Sequence, residues 1–345
     1  MRKLLLALGL LSLLAAAGAA IYWQRTSTMM QAAGPHSQPI QLEVRQGASV
    51  RMVLAELEAR GALADRFGVE LQLRVRGWPQ IKTGRYDIPA GATPADILRQ
   101  LAEGRVVLES LTVVEGWTFA DLRRVVEAHP QIKVTLRGKS VAELMDDIGH
   151  AGEHPEGRFF PDTYRFAAGT SDHDLYVLAY RKMAEALQGA WNSRAPGLPL
   201  NDAYQALTLA SIVEKETGLA SERPRIAGVF VTRLKRNMRL QTDPTVIYGI
   251  GPSYDGNIRE RDLHTDTPYN TYTRNGLPPT PIALPSREAI EAVTHPQETG
   301  DIFFVATGAG DGSHVFSATL EEHNAAVAKY LARLRQNRLR GNGTR

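Results

Sequence analysis

Two carboxylates stand at the end of an apolar segment running from Asn201 to Thr217 (NDAYQALTLASIVEKET). Ala206, Leu209, Ala210, Ile212 and Val213 recur at helical spacing; Asn201 or Asp202 can cap the start and Gly218 can end it. Glu214 and Glu216 then fall in the last turn, facing unpaired carbonyls and the negative end of the helix dipole. An apolar wall beside them adds a desolvation cost. Both effects raise a carboxyl pKa, as a general acid working near neutrality requires. At about 100° per residue, Glu216 lies between Leu209 and Ile212, close to Val213, while Glu214 projects between Leu207 and Ala210. Glu216 therefore has the bulkier apolar neighbours and is the candidate acid. The competing reading for either is a solvated helix-end glutamate paired with Lys215, Arg223 or Arg225.

The elements around this helix carry local signatures. A pattern recurs as IQLEVRQGASVRMVLAEL, YDIPAGATPADILRQL and LTVVEGWTFADLRRVV, anchored at Gly47/Ser49/Val53, Gly91/Thr93/Ile97 and Gly116/Thr118/Leu122. Each reads as a strand that turns at glycine into a Ser- or Thr-capped helix, with Pro94 at a first helical position. This resembles the strand–helix half of a LysM module, a small fold that binds N-acetylated glycans; a common capped strand–helix unit is the alternative. Asp65 to Leu73 and Tyr86 to Pro89 give further strand and turn material. Ser140 caps a fourth helix, and Glu156–Tyr164 (EGRFFPDTY) suits a packed loop that can also line a groove. Gly308–Gly312 reads as a hairpin turn before strand-like His314–Phe316.

Composition narrows the class. With 345 residues, 43% hydrophobic and 22% charged, the chain is globular and large enough for two or so domains. It has no cysteine, which excludes disulfides, thiolate catalysis and Cys-ligated metal. The sequence pI is near 9.1, but nine of the 40 basic residues lie in residues 1–25 and 329–345, segments without an acid. The remainder holds 31 basic against 37 acidic residues, a net charge of −6, which gives no support for a nucleic-acid partner. His314 and His323 lack a metal-binding spacing, and His264 and His295 stand alone; all four read as structural or surface histidines.

The first residues place the chain. Arg2 and Lys3 precede an uncharged apolar run, Leu4–Trp23, long enough to cross a bilayer, with Tyr22 and Trp23 at its far edge. The positive-inside rule puts the N-terminus in the cytoplasm and the body outside. A signal peptide cleaved near Ala17-Gly18-Ala19 competes with the uncleaved anchor. The expected organisation is an anchor over 1–25, a linker over 26–39, a LysM-like region over 40–110, a catalytic domain over 111–338 and a basic tail over 339–345.

LASIVEKET (209–217), SER (221–223), VFVTRLKRNMRLQTDPTVIYGIG (229–251) and PYNTYTRNGLPPTPIALPS (268–286) resemble the YceG-like endolytic murein transglycosylase family, as do EGRFFPDTY and GSHVFSATLEEHN. The resemblance extends over nearly the whole chain. It implies an α+β protein with a single-pass membrane helix, a small LysM-like module and a larger lysozyme-like catalytic domain. It implies cleavage of peptidoglycan glycan strands at the bacterial inner membrane, with the body in the periplasm, no metal or cofactor, and peptidoglycan synthases as possible neighbours. The glutamate before threonine in EKET, Glu216, is carried over as the catalytic residue. Gln241, Thr242, Asp243, Tyr269, Asn270 and Tyr272 are candidate substrate-binding residues, suited to holding N-acetyl and hydroxyl groups and stacking on sugar faces; Asp243 as a turn former and Tyr272 as core are the structural alternatives. The implied reaction splits the β-1,4 bond from N-acetylmuramic acid to N-acetylglucosamine and leaves a 1,6-anhydro end, terminating strand growth. A muramidase using Asp243 as second carboxylate and a non-catalytic glycan-binding protein are the other two readings.

Overall fold

The computed structural model describes residues 2–342, with side chains over 6–336. The chain divides into two compact units, one of residues up to Ser110 together with Arg165–Thr170, the other of Leu111–Tyr164 together with residues from Ser171 onward. Architecture is mixed helix and sheet, with three two-stranded sheets among the described residues.

The first unit opens with a long helix, α1 (Arg2–Met29). Its segment Leu6–Met29 is long and apolar enough to cross a membrane. The helix continues beyond Trp23 into residues expected to be linker, because Thr26 is buried against the rest of the unit and Met30 joins its core. Next come β1 (Ile40–Val44), α2 (Val50–Ala59), α3 (Arg66–Arg76), β2 (Gly84–Ile88) and α4 (Pro94–Glu103). Strands β1 and β2 pair antiparallel, Leu42 opposite Tyr86. Leu42, Leu54, Leu57, Tyr86, Ile97 and Leu101 make the centre of the core. The strand–glycine–cap pattern takes the form its chemistry dictates. Gly47 and Gly91 have φ of 81° and 68°, and the Ser49 and Thr93 side chains accept from the amides of Met52 and Asp96.

Asp65–Leu73 is not strand and turn. Asp65 accepts from the Gly68 amide and caps α3, which buries Val69, Gln72 and Leu73. The alternation of Val69, Leu71, Leu73 and Val75 is a strand-like pattern, overridden by the cap and by packing against α1. Its cost is visible: Val75 is exposed while Gln72 is buried.

The chain enters the second unit through β3 (Leu108–Thr112), followed by α5 (Phe119–Ala128), α6 (Val141–Asp147), β4 (Thr163–Ala167), α7 (Asp172–Asn192), α8 (Ala203–Glu216), α9 (Arg223–Lys235), α10 (Asp243–Ile250), α11 (Glu260–His264), α12 (Arg287–Thr294), β5 (Phe303–Ala306), β6 (His314–Ser317) and α13 (Leu320–Asn342). Strand β3 pairs with β4, and β5 with β6. Thr118 and Ser140 cap α5 and α6, each with an acidic residue closing a capping box. The expected basic tail, 339–345, lies outside the residues whose side chains are described.

Helix α8 is the axis of this unit. Residues 206–213 are all buried, and α7, α9, α10 and α12 pack around it. A helix apolar on every side needs such a jacket. Its two internal hydroxyls are paired, Thr208 to the Tyr204 carbonyl and Ser211 to the Thr208 carbonyl, and Ser211 also accepts from the Ile282 amide.

Close approach of α9 to the segment after α12 depends on a missing side chain. A Cβ on Gly228 would meet the Gln297 carbonyl oxygen and come within 2.7 Å of its carbon, and the Gln297 amide is bonded to the Pro224 carbonyl at 2.8 Å. Alanine favours a helix by about 1 kcal/mol over glycine, but overpacking against backbone costs about 1–3 kcal/mol. Gly228→Ala is therefore expected to destabilise the chain despite its helix propensity, measured as a lower urea midpoint; a raised midpoint contradicts this packing.

Candidate active site

The end of α8 delivers two carboxylates into opposite environments. Glu214 is almost fully paired. Its Oε1 meets Arg223 Nη2 at 3.3 Å, and its Oε2 accepts from the Ser286 amide at 2.9 Å and from the Ser286 hydroxyl at 2.5 Å. Both ionic partners are buried, with side-chain exposures of 6% for Glu214 and 9% for Arg223. This glutamate ties α8 to the start of α9 and to the N-cap of α12.

Among the described residues Glu216 has one hydrogen-bond partner, the Thr242 hydroxyl, which donates to Oε1. Burial pushes its carboxyl up to about 7. The Thr242 bond lowers it, the Asp243 charge raises it further, and His314 and Arg233 lower it. Glu216 thus holds a proton near neutral pH, with burial as the largest cause.

A pocket of about 180 Å³ is lined by Glu216, Arg233, Leu240, Gln241, Thr242, Asp243, Tyr272 and Phe304. Its floor is a tight turn ahead of α10. Gln241 sits at φ 50°, an uncommon conformation for a residue with a side chain. The turn is held by Thr271, whose carbonyl accepts from the Gln241 amide at 3.2 Å and whose hydroxyl accepts from the Thr242 amide at 3.1 Å. Thr245 bonds both the Thr242 carbonyl and the Thr271 hydroxyl. The Thr242 hydroxyl is thereby aimed at Glu216, while the Gln241 and Asp243 side chains are exposed to the pocket.

Asp243 opens α10, followed by Pro244. Helix amides there carry partial positive charge and favour an anion. Tyr272 donates its hydroxyl to Asp243 Oδ1 at 2.6 Å, and burial, then this bond to Asp243, pushes the phenol pKa upward. One carboxyl therefore stands at the negative end of α8 and another at the positive end of α10, in one pocket. Such an arrangement favours a neutral acid beside an anion.

Tyr269 and Asn270 are not brought into this pocket. Asn270 is buried, its amide nitrogen donating to the carbonyls of Asp262, Leu263 and Thr265 at the end of α11, its oxygen accepting from the Tyr272 amide. It shapes the loop that presents Tyr272. Tyr269 packs on Tyr248 with ring centroids 4.9 Å apart and shares a hydrogen bond with Thr280.

Several pocket residues have no local sequence signal. Arg233 is buried on α9. It donates to the carbonyls of Leu240 at 2.7 Å and Ile302 at 2.6 Å, with no carboxylate partner among the described residues. Its position on the apolar face that also carries Val229 and Phe230 is the one available clue, since a charge there is desolvated. Phe304 comes from β5. His314 of β6 lies with its ring centroid 5.5 Å from that of Phe304 and its Nδ1 2.8 Å from Glu222 Oε2.

A near-neutral carboxyl alone does not identify an acid. Burial also lifts Glu156 to about 7, against bonds from the Phe119 amide and the Tyr248 hydroxyl. Both of its oxygens are occupied and it lines no part of the Glu216 pocket. It braces α10 from the rear through Tyr248. A groove of about 920 Å³ lies elsewhere, between the β5–β6 hairpin and α13, away from Glu216.

With this geometry in place, likeness to known proteins is informative. The model of the YceG-like family matches residues 42–329. The chain belongs to the YceG-like family. It is similar to the endolytic murein transglycosylase of Bacillus subtilis, 29% identical over 313 residues that cover 85% of this chain and 85% of that protein. It is similar also to that of Streptococcus pneumoniae strain D39, 26% identical over 354 residues, covering 93% of this chain but 64% of the streptococcal protein, less than two thirds of its length. Among solved structures, a YceG-like protein from Listeria monocytogenes aligns with a TM-score of 0.50 and 28% identity, over 84% of this chain and 99% of the other.

The Glu216 proton has a thermodynamic signature. Its carboxyl titrates near 4.5 when unperturbed and near 7 in the folded chain. The folded state binds the proton more tightly, so this contribution to stability is complete below the unfolded value and is lost as pH rises through about 7. Its size is on the order of 3 kcal/mol. Glu216→Gln is therefore expected to gain stability relative to wild type between about pH 5 and about pH 8, read by urea denaturation in detergent. A pH-independent difference contradicts the shifted pKa.

Proposed function

We propose that this chain is a membrane-tethered endolytic murein transglycosylase that cleaves the β-1,4 bond from N-acetylmuramic acid to N-acetylglucosamine within peptidoglycan strands. The observation that carries this reading is Glu216: a buried carboxyl near neutrality, with a single hydroxyl partner, in a pocket it shares with an anion at a helix N-terminus. The relatives named for the activity support it.

Protonated Glu216 donates to the glycosidic oxygen. The C1–O bond breaks, and an oxocarbenium-like centre develops at the muramic C1. Asp243 lies where its charge offsets that cation. The C6 hydroxyl of the same sugar attacks C1, and its proton passes to Glu216, now ionised. The product is a 1,6-anhydro end, and the acid is restored without water. One carboxyl serves twice because the nucleophile belongs to the substrate, with the advantage of high effective molarity. Thr242 stabilises the ionised interval. Gln241 and Tyr272 offer an amide and a ring edge to the sugar. Tyr269 and Asn270 act as supports of the loop.

The same reading extends to organisation. Residues 40–110 form the LysM-like region, its two antiparallel strands flanking two capped helices. Residues 111–338 form the catalytic, lysozyme-like domain. Helix α1 anchors the chain in the bacterial inner membrane with the body in the periplasm, beside the synthases whose strands it would terminate. A muramidase is the second reading, favoured by the presence of Asp243 in the Glu216 pocket.

Mass spectrometry of muropeptides after incubation with glycan strands separates these. Wild type is expected to yield anhydro ends, and Glu216→Gln to lose about 10²–10⁴ in rate while still binding strands. Reducing ends establish a muramidase, and an inert wild type a glycan-binding protein. The rate should fall as pH rises through about 7, since the acid must be protonated. Thr242→Val removes a bond that favours the ionised form, so this limb should move to higher pH; a limb unmoved or moved down contradicts the assignment.

A further inference from the structure

Helix α3 presents apolar residues to the outside. Phe67, Leu71 and Val75 recur at four-residue spacing and form one stripe. Phe67 and Val75 are 63% and 66% exposed, while the face carrying Val69, Gln72 and Leu73 is buried. Just beyond the helix Trp78 is also exposed, with the Arg51 guanidinium 5.3 Å over its ring. Exposed apolar stripes of this kind mark contact surfaces.

The neighbouring helix indicates what covers it. The last turns of α1 pack along α3. Tyr22 lies with its ring centroid 6.4 Å from that of Phe67 and donates to Asp65 at 3.4 Å. Gln72 donates to the Thr26 hydroxyl at 2.8 Å, and Arg76 to the Ser27 hydroxyl at 3.1 Å. A Cβ on Gly68 would come within 2.8 Å of the Thr26 methyl, so the two helices touch closely. These contacts advance along both helices in the same order. Phe67 is thus level with Tyr22, next to the exposed apolar segment that ends at Ile21, and Val75 is level with residues further from it. Beside the stripe on α3 stands Arg74, and on the neighbouring turn of α1 stands Arg25; neither has an acidic partner among the described residues. Arg66 differs, being paired with Glu58 and Glu70.

We propose that α3 is a membrane-docking helix. The start of its stripe seats in the headgroup region of an anionic bilayer, Phe67 deepest and Val75 shallowest, with Arg25 and Arg74 on lipid phosphates. The proposal rests on the reading that α1 spans the membrane. An apolar side chain level with the end of a spanning segment gains by leaving water, and basic residues beside it are drawn to anionic lipid. Docking would give the first unit a second point of membrane contact, beside α1 at the start of α3.

A chain without cysteine allows single labels to be placed at will. The full chain is reconstituted in vesicles of phosphatidylcholine and phosphatidylglycerol, with a nitroxide at L11C, F67C, L71C, V75C or the exposed R45C. Collision with oxygen, which partitions into lipid, is compared with collision with a water-soluble nickel chelate. The expected order of oxygen preference is L11C, F67C, L71C, V75C, then R45C. Omitting phosphatidylglycerol should move F67C toward water. If F67C is as water-accessible as R45C while L11C is lipid-buried, the docking proposal is overturned and the anchor stands. If F67C is unmoved by anionic lipid, the role of the arginines is overturned. If L11C itself is water-accessible, the anchor reading fails and the proposal with it.

Discussion

A carboxylic acid at the C-terminal end of a buried helix is disfavoured as an anion by the helix dipole, by unpaired carbonyls and by loss of water. Most of the second unit can be understood as the framework that keeps Glu216 in that position. Helix α8 is apolar on every side along residues 206–213 and is jacketed by four other helices. Its end must therefore emerge at a place other elements define. The turn at Gln241, pinned by Thr271, brings one hydroxyl to Glu216 and brings no cation into hydrogen-bonding contact with it. Arg233 is near enough to be felt but spends its donors on backbone carbonyls. A guanidinium bonded directly to Glu216 would hold it ionised and remove the acid.

The chain provides its own contrasts. Glu214, two residues earlier on the same helix, is as thoroughly buried, yet Arg223 and Ser286 take both of its oxygens and make it a structural tie. Glu156 is lifted to about 7 by burial but is closed off by Phe119 and Tyr248. Three buried carboxyls thus have three fates, decided by what else touches their oxygens. Of these three, Glu216 alone combines a raised pKa with a place in a pocket and a second carboxyl, Asp243, in that pocket.

Local chemistry was readable from the residues alone wherever it depended on near neighbours. The Ser49, Thr93, Thr118 and Ser140 caps, the glycine turns before the first three and the buried face of α8 all follow from spacing. The expectation favoured Glu216 over Glu214 from the bulk of adjacent aliphatics, but what separates their surroundings in the structure is non-local. Ser286, the helix-capping residue that engages Glu214, is 72 positions away. For the same reason Arg233 and Phe304 were not legible as pocket residues, nor was it legible that Asn270, expected to hold substrate, bonds carbonyls at the end of α11. The alternation in α3 misled because its outer apolar residues are not there to fill the core.

The most direct test is the ionisation of Glu216 itself. Carbon-13 NMR of carboxyl-labelled glutamate in the full chain, with the resonance assigned by its loss in Glu216→Gln, gives the titration of this one group. The account predicts an apparent pKa of about 7. A titration completed in the ordinary glutamate range would mean a charged, hydrated side chain at neutral pH, and the proposed acid would not exist.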